Sequence, residues 1–391
     1  MRTLGNELRK MLSNRFLLMA CAAFLIINGF HCWKEIQWEW KGLPTDNHAA
    51  AAQLYDTFEG RLEPEKLQQV VEEYNRLSEI IRRGQYSTQP NQSGTYTGYV
   101  YNDWQMFEAL YAGLDYAYHY AGQIEIVVQK AKNNISFYQE RQNTYEAARN
   151  SKIASHYQGR VITSYFRTDG WESYFMYSFS SLCTIFLVVF GTASLFCRDR
   201  ELGMDSLLNV CRFGRWRVFT AKTGLALLFT LVVTTLFFLE DWALYAVRFA
   251  FCGYTNPIYS LPFMQYSPYS CSIGTYLQLS FGWKFLGALT VCMLSLFSSA
   301  LFSHELAAFI GALALLLPGI VLKGGSVGSW VTLFELAGTL TTMKTVSIFG
   351  LAVRQDLLLT VTNTVFVLFL LFLCGFLETH RDACTKRGIP L

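Results

Sequence analysis

The stretch FLGALTVCMLSLFSSALFSHELAAFIGALALLLPGIVL, residues 285–322, decides the fold class. Phe285 to Ser303 and Leu306 to Leu322 are two apolar runs, and only His304 and Glu305 stand between them. A helix that crosses the hydrocarbon core of a bilayer needs about 20 consecutive apolar residues. Two runs near that length, with so short a polar break, read as a tight hairpin of membrane helices.

Working outward, four more runs of the same kind appear. Phe16 to Trp33 carries no formal charge, and Trp33, Trp38 and Trp40 at its end suit an interfacial anchor. No small-x-small site follows it, so it does not read as a cleaved leader. Tyr174 to Cys197 is the second span and Leu357 to Leu377 the last. Thr223 to Leu239 is the third, continuing through Glu240 and Asp241 to about Val247. The expectation is an all-α integral membrane protein with six transmembrane helices. Composition agrees. Of 391 residues 52% are hydrophobic and 16% charged, against roughly 25% charged in soluble domains, which excludes a soluble enzyme. A net charge of +3 is no phosphate-binding field, so no nucleic-acid partner is expected. The ten cysteines contain no CxxC pair and lie mostly in or beside apolar runs, where Cys behaves as a small hydrophobe.

Six spans put both termini on one side. In the short flanks, thirteen Lys and Arg fall on the side of the termini and five on the other, so the positive-inside rule makes both termini cytoplasmic. Residues 34–173, too long to count in that rule, then form an extracellular domain in which 18 acidic residues outnumber 14 basic ones. Leu67, Val70, Val71, Tyr74, Leu77, Ile80 and Ile81 recur at spacings of three and four, and further helical patterns follow in 103–162. The domain is therefore read as helical. Its Tyr111, Tyr116, Tyr118 and Tyr120 form a stripe that packs against protein or grips a ligand. Three units follow: 1–33, an amphipathic entry helix and the first span; 34–173, the extracellular domain; and 174–391, spans two to six. The proline-broken 249–283 and glycine-rich 324–354 read as outer segments with short re-entrant helices.

Chemistry is sparse. No G-x-x-x-x-G-K-[ST], H-E-x-x-H or G-x-S-x-G occurs, so the chain is expected to bind no nucleotide, metal or cofactor of its own. Glu240 and Asp241 are the acidic residues in the body of a span; they line a substrate path, bind a cationic group or lie in the wetted headgroup layer near Arg248. Cys252 and Cys271, both placed outside, are candidates for a disulfide.

The most informative polar segment is 198–222. It runs Arg198-Asp199-Arg200-Glu201-Leu202-Gly203-Met204, then Leu207-Leu208, Gly214-Arg215 and Lys222. A positive-inside loop explains the arginines but not this order. The order resembles the loop between the second and third spans of bacterial ABC-2 type transporter permeases, whose D-x-E-x-G-M-x-x-L-L … G-R … K pattern forms a coupling helix. The entry helix, the close hairpin of spans four and five and the re-entrant outer segments resemble that family too. Thr168-Asp169-Gly170-Trp171-Glu172, ahead of span two, is similar to its large-ectodomain branch from Gram-positive bacteria.

The resemblance implies a multi-pass permease in the cytoplasmic membrane of a Gram-positive bacterium, one half of a dimer with an identical or related second permease subunit. It implies a cytoplasmic ABC ATPase partner that holds ATP and Mg, with export as the direction. Arg198, Arg200, Glu201, Gly203, Met204, Leu207, Leu208 and Arg215 would form the ATPase-coupling surface, on a helix over 198–211. The cargo would be a peptide, a lipid-linked or another amphipathic compound. The competing reading is a non-transporting receptor or scaffold with the extracellular domain as sensor. An intramembrane enzyme lacks a buried pair of titratable residues to carry its chemistry.

Overall fold

The computed structural model describes residues 2–39, 48–84, 96–168, 170–204, 214–321 and 328–386. Among the described residues, five helical stretches are long and apolar enough to cross a membrane: Arg15–Gln37, Trp171–Glu201, Arg215–Phe249, Ile273–Leu301 and Gln355–Thr379. They belong to α2 (Arg15–Glu39), α7 to α9 (Trp171–Met176, Phe179–Thr192, Cys197–Glu201), α10 (Gly214–Phe249), α11 (Ile273–Leu301) and α14 (Gln355–Lys386). Ahead of them lies the short amphipathic α1 (Arg2–Leu12). α8 and α11 are buried on most of their faces, whereas α2 and α14 leave most of theirs open, as peripheral helices against lipid do. Thr192 on α8 donates to Ser295 on α11 at 2.9 Å, the small-residue, hydroxyl-bridged contact common between membrane helices.

Two of the expected spans differ. The run at 306–322 is α12 (Glu305–Val321), whose 17 residues rise only about 25 Å, short of a hydrocarbon core of about 30 Å. The fourth span starts twelve residues before Phe285, at Ile273, where the Ser272 side chain accepts from the Thr275 N–H at 3.2 Å. Ile273, Tyr276, Ser280, Trp283 and Gly287 line its buried face at spacings of three and four. Lys284 therefore sits inside a helix and not in an outer segment. Lys284, which seemed to end the run, is half-buried there.

The second stretch is bent. Tyr177 is extended (ψ 118°) and separates α7 from α8. α13 (Ser329–Thr339) lies against this break, and a Cβ on its Gly338 would sit 2.5 Å from the Phe175 carbonyl oxygen. Only glycine lets the two backbones approach so closely.

Between α2 and α7 lies a polar domain of α3 (His48–Phe58), α4 (Pro64–Arg82), α5 (Val100–Glu140) and α6 (Thr144–Tyr157), closed by a short antiparallel pairing of β1 (Gly60–Arg61) with β2 (Ser164–Tyr165). α5 has 41 residues and is about 61 Å long. Phe107, Leu110, Leu114 and Val128 on it join Val70 and Leu77 of α4 in one core. The domain is fastened to the bundle through the chain between α10 and α11. Tyr116 donates to the Tyr259 carbonyl at 2.7 Å, Tyr120 to that of Gln265 at 3.0 Å and Tyr157 to that of Tyr266 at 2.5 Å. Burial pushes the Tyr120 phenol up to about 12, so it stays a donor at any physiological pH. Tyr111 stacks on Tyr74. Most of the tyrosine stripe is thus packing and docking. A second attachment runs through the hairpin of β3 (Thr345–Ile348) and β4 (Leu351–Arg354), where Lys152 donates to the Ala352 carbonyl at 2.5 Å.

Candidate functional site

The end of the bundle away from the polar domain carries residues 197–204 and 214–222. α9 covers five residues and stops at Glu201; Gly203 then takes a left-handed conformation (φ +67°), and its N–H donates to the Arg200 carbonyl at 2.9 Å. A glycine in this conformation is a helix stop. The expected helix over 198–211 is therefore interrupted at Gly203. Leu207 and Leu208 lie outside the described residues.

The charges around α9 point inward more than the sequence suggests. The Arg200 side chain is 6% exposed. Its guanidinium donates to the carbonyls of Phe302 at 2.5 Å and Ser299 at 2.8 Å, where α11 ends, and to Glu378 of α14 at 2.6 Å. It satisfies carbonyls left open at a helix C-terminus, where a cation is also favoured. Asp199 pairs with Lys222 of α10 at 2.7 Å, and Lys222, 2% exposed, also donates to the Leu195 carbonyl. Arg198 reaches Glu305 at 3.6 Å, and Glu201 accepts from the Glu305 N–H at 3.3 Å. One short turn is thus tied to α10, α11, α12 and α14 at once. Leu202, Met204 and Arg198 stay exposed, beside a groove of about 360 Å³ bordered by Lys10, Met11, Asn14, Leu195 and Asp199. Arg215 is half-buried near the start of α10. Among the described residues, this arrangement engages its charged groups in ion pairs and backbone contacts. What it can do is carry a displacement from an exposed apolar tip into four helices.

Glu378 was missed, and Lys222 was read only as the end of a motif. A carboxylate directly after Leu377, the last residue of an apolar run, has to find a cation at the edge of the bundle. That was the available signal.

At the other end, Asn28 of α2 donates from Nδ2 to Glu240 and to Asp241 of α10, each at 2.9 Å. Asp241 is 1% exposed. Asp241 is therefore a buried contact between helices, while Glu240 beside it is half-buried. The half-buried Lys284 on α11 acts electrostatically on Asp241. Tyr177 donates to Asn28 Oδ1 at 3.1 Å and lies 3.4 Å from His31 Nδ1. Asn28 carried a signal of its own, as a primary amide within an apolar run. Cys252 and Cys271 are both free thiols. Cys252 Sγ faces Glu59 Oε1 at 3.4 Å and the Arg167 carbonyl at 3.5 Å, so the expected disulfide is not formed here.

A family model described as ABC-2 family transporter protein matches residues 16–349. No curated protein and no solved structure matches the chain. The match spans the first apolar helix, the polar domain, the inward-tied turn at 197–204 and the short α12, and the chain is a multi-pass membrane protein that belongs to the ABC-2 family of transporter proteins.

Proposed function

We propose that the chain is the permease subunit of an ATP-binding cassette exporter, driven by a separate cytoplasmic ATPase that holds ATP and Mg. A second permease subunit, identical or related, completes the pathway. The observation that carries the coupling assignment is the clamp at Arg200: a turn with an exposed apolar tip is fixed to the ends of α11 and α14. Force applied at Leu202 and Met204 therefore moves helices and not a loose loop. An ATPase that grips this turn differently in its open and closed states shifts the bundle between its own two states. The same reading places the polar domain outside the cell, α12 and α13 as a short fifth crossing with a re-entrant return, and both termini in the cytoplasm. With Lys284 inside a helix, four Lys and Arg remain in the short outer segments against thirteen inside.

Leu207 and Leu208 extend the apolar tip in the sequence. Burying a leucine in a partner contributes about 1.5–3 kcal/mol, and 1.4 kcal/mol is tenfold in affinity. The double substitution Leu207→Ala, Leu208→Ala is expected to weaken co-purification of the ATPase by about tenfold or more, or to uncouple hydrolysis from transport. Melting in detergent should barely change. Unaltered ATPase association and coupling in this variant would favour a receptor or scaffold. Sidedness has its own check: in a cysteine-depleted background, an impermeant thiol reagent added outside should label Gln92→Cys and spare Thr385→Cys. The opposite pattern inverts the topology.

A further inference from the structure

α10 and α14 leave a groove of about 650 Å³ between them, with Trp216 to Leu227 along one wall and Leu368 to Thr379 along the other. Each wall rises about 17 Å, close to the depth of one leaflet of hydrocarbon, half of about 30 Å. Leu368 and Phe372 are exposed, so the groove opens sideways toward the bilayer. Gly375 shapes its floor: a Cβ there would stand 3.3 Å from the Phe219 ring, and the glycine lets that ring lie close against α14.

Polarity is graded along the groove. Trp216, Thr220 and Thr379 line the end beside Glu378, and a tryptophan at that level suits the membrane interface. Leu227, Leu368, Leu371 and Phe372 line the end inside the bilayer. A phospholipid has the same gradient over the same length, with ester oxygens at the surface and acyl chain within. The mouth is also basic. Arg217 is exposed and lies one turn before Thr220 and two before Gly224 on one face of α10. In sequence, 212–217 holds Arg212, Arg215 and Arg217 with no acid, and 380–387 holds Arg381, Lys386 and Arg387 against Asp382. Glu378 is engaged by Arg200 at 2.6 Å. Each Lys or Arg beside a membrane surface favours an anionic lipid by about fivefold.

We propose that this groove binds one anionic phospholipid, with an acyl chain between Leu227 and Leu371 and the phosphate beside Arg217. That its leaflet is the cytoplasmic one rests on the topology proposed above; the binding does not.

The test places the full chain in phosphatidylcholine nanodiscs with a trace of phosphatidylglycerol that carries a photoactivatable diazirine in one acyl chain. Crosslinked peptides are mapped by mass spectrometry. Labelling is expected to concentrate on 219–227 and 368–376 and to be displaced by unlabelled phosphatidylglycerol. The same diazirine on phosphatidylcholine should label these segments at least about fivefold less. Arg217→Gln should lower the phosphatidylglycerol yield there by about fivefold. Leu371→Trp, which fills the groove, should lower it at least as far, yet leave unchanged the labelling around Phe16 and Met19, exposed on α2. A melting curve for each variant shows that the fold persists. Should the tryptophan variant not fold, Arg217→Gln decides, because its side chain lies on the surface. Labelling spread evenly over α2, α10 and α14, equal labelling by the two lipids, or unchanged yields in the folded variants means lipid contact without a site and overturns the proposal. A groove that stays unlabelled, as a second copy seated on it would leave it, overturns it too. ATPase co-purification is scored on the same preparation and does not depend on the label, so loss of this site and loss of the permease reading are told apart.

Discussion

Lys222→Met is expected to lower the thermal stability of the bundle sharply, while Leu207→Ala, Leu208→Ala leaves it almost untouched. Lys222 is 2% exposed, and its ammonium is shared between Asp199 and the Leu195 carbonyl. Removing one partner of a buried ion pair costs about 3–5 kcal/mol, because the other charge is left without compensation. Replacing both partners with uncharged groups of similar shape is far milder. Asp199→Asn added to Lys222→Met should therefore restore most of the lost stability. Melting of the three variants in one detergent, followed by tryptophan fluorescence and by static light scattering, reads this directly. A single variant that melts like the unaltered protein would mean that Asp199 is paid no penalty by isolation, and that the turn is held by Arg200 alone. If instead stability returns in the double variant while ATPase coupling does not, the pair transmits as well as holds.

Much of this architecture was legible in the sequence, and the misreadings have common physical causes. The apolar runs gave the membrane helices because hydrocarbon solvates nothing polar. The start of α11 was misplaced because Lys284 reads as an outer-loop cation, whereas it lies half-buried within the helix. A residue-by-residue hydropathy reading cannot supply a partner that lies on another helix. Glu240 and Asp241 were visible as acidic residues in a span, but their partner Asn28 lies 212 residues from Glu240 in sequence. Gly203 was also visible. The apolar residues beyond it suggested a continuous helix, and the left-handed glycine breaks it. In the polar domain the helical periodicity of α4 was plain. The fastening of the domain onto residues 257–269 was not, because the acceptors there are backbone carbonyls, which leave no mark in side-chain pattern.

That fastening leads to the second large effect, at Arg160. Its side chain is almost fully buried, with the residue 4% exposed. The guanidinium donates to the carbonyls of Ser267 at 2.9 Å and Tyr269 at 3.3 Å across the junction, and to that of His156 at 3.0 Å within the domain. It also lies over the rings of Tyr157 and Tyr259, at 4.6 and 4.9 Å from their centroids. Hydrogen bonds from a charged donor contribute about 1.5–3 kcal/mol each, so the two that cross the junction hold it by about 3–6 kcal/mol. Arg160→Met keeps the apolar stem and removes the fork. It should speed hydrogen exchange in 257–269 by at least about a hundredfold, since each 1.4 kcal/mol is tenfold. The core of α4 and α5 should exchange as before, because Leu77, Leu110 and Leu114 are buried against one another with no help from Arg160. Arg160→Lys should recover only part of the protection: an ammonium cannot span three carbonyls in one plane. Exchange unchanged in the methionine variant would assign the junction to Tyr116, Tyr120 and Tyr157, and their joint replacement by phenylalanine would then be the variant that frees the domain.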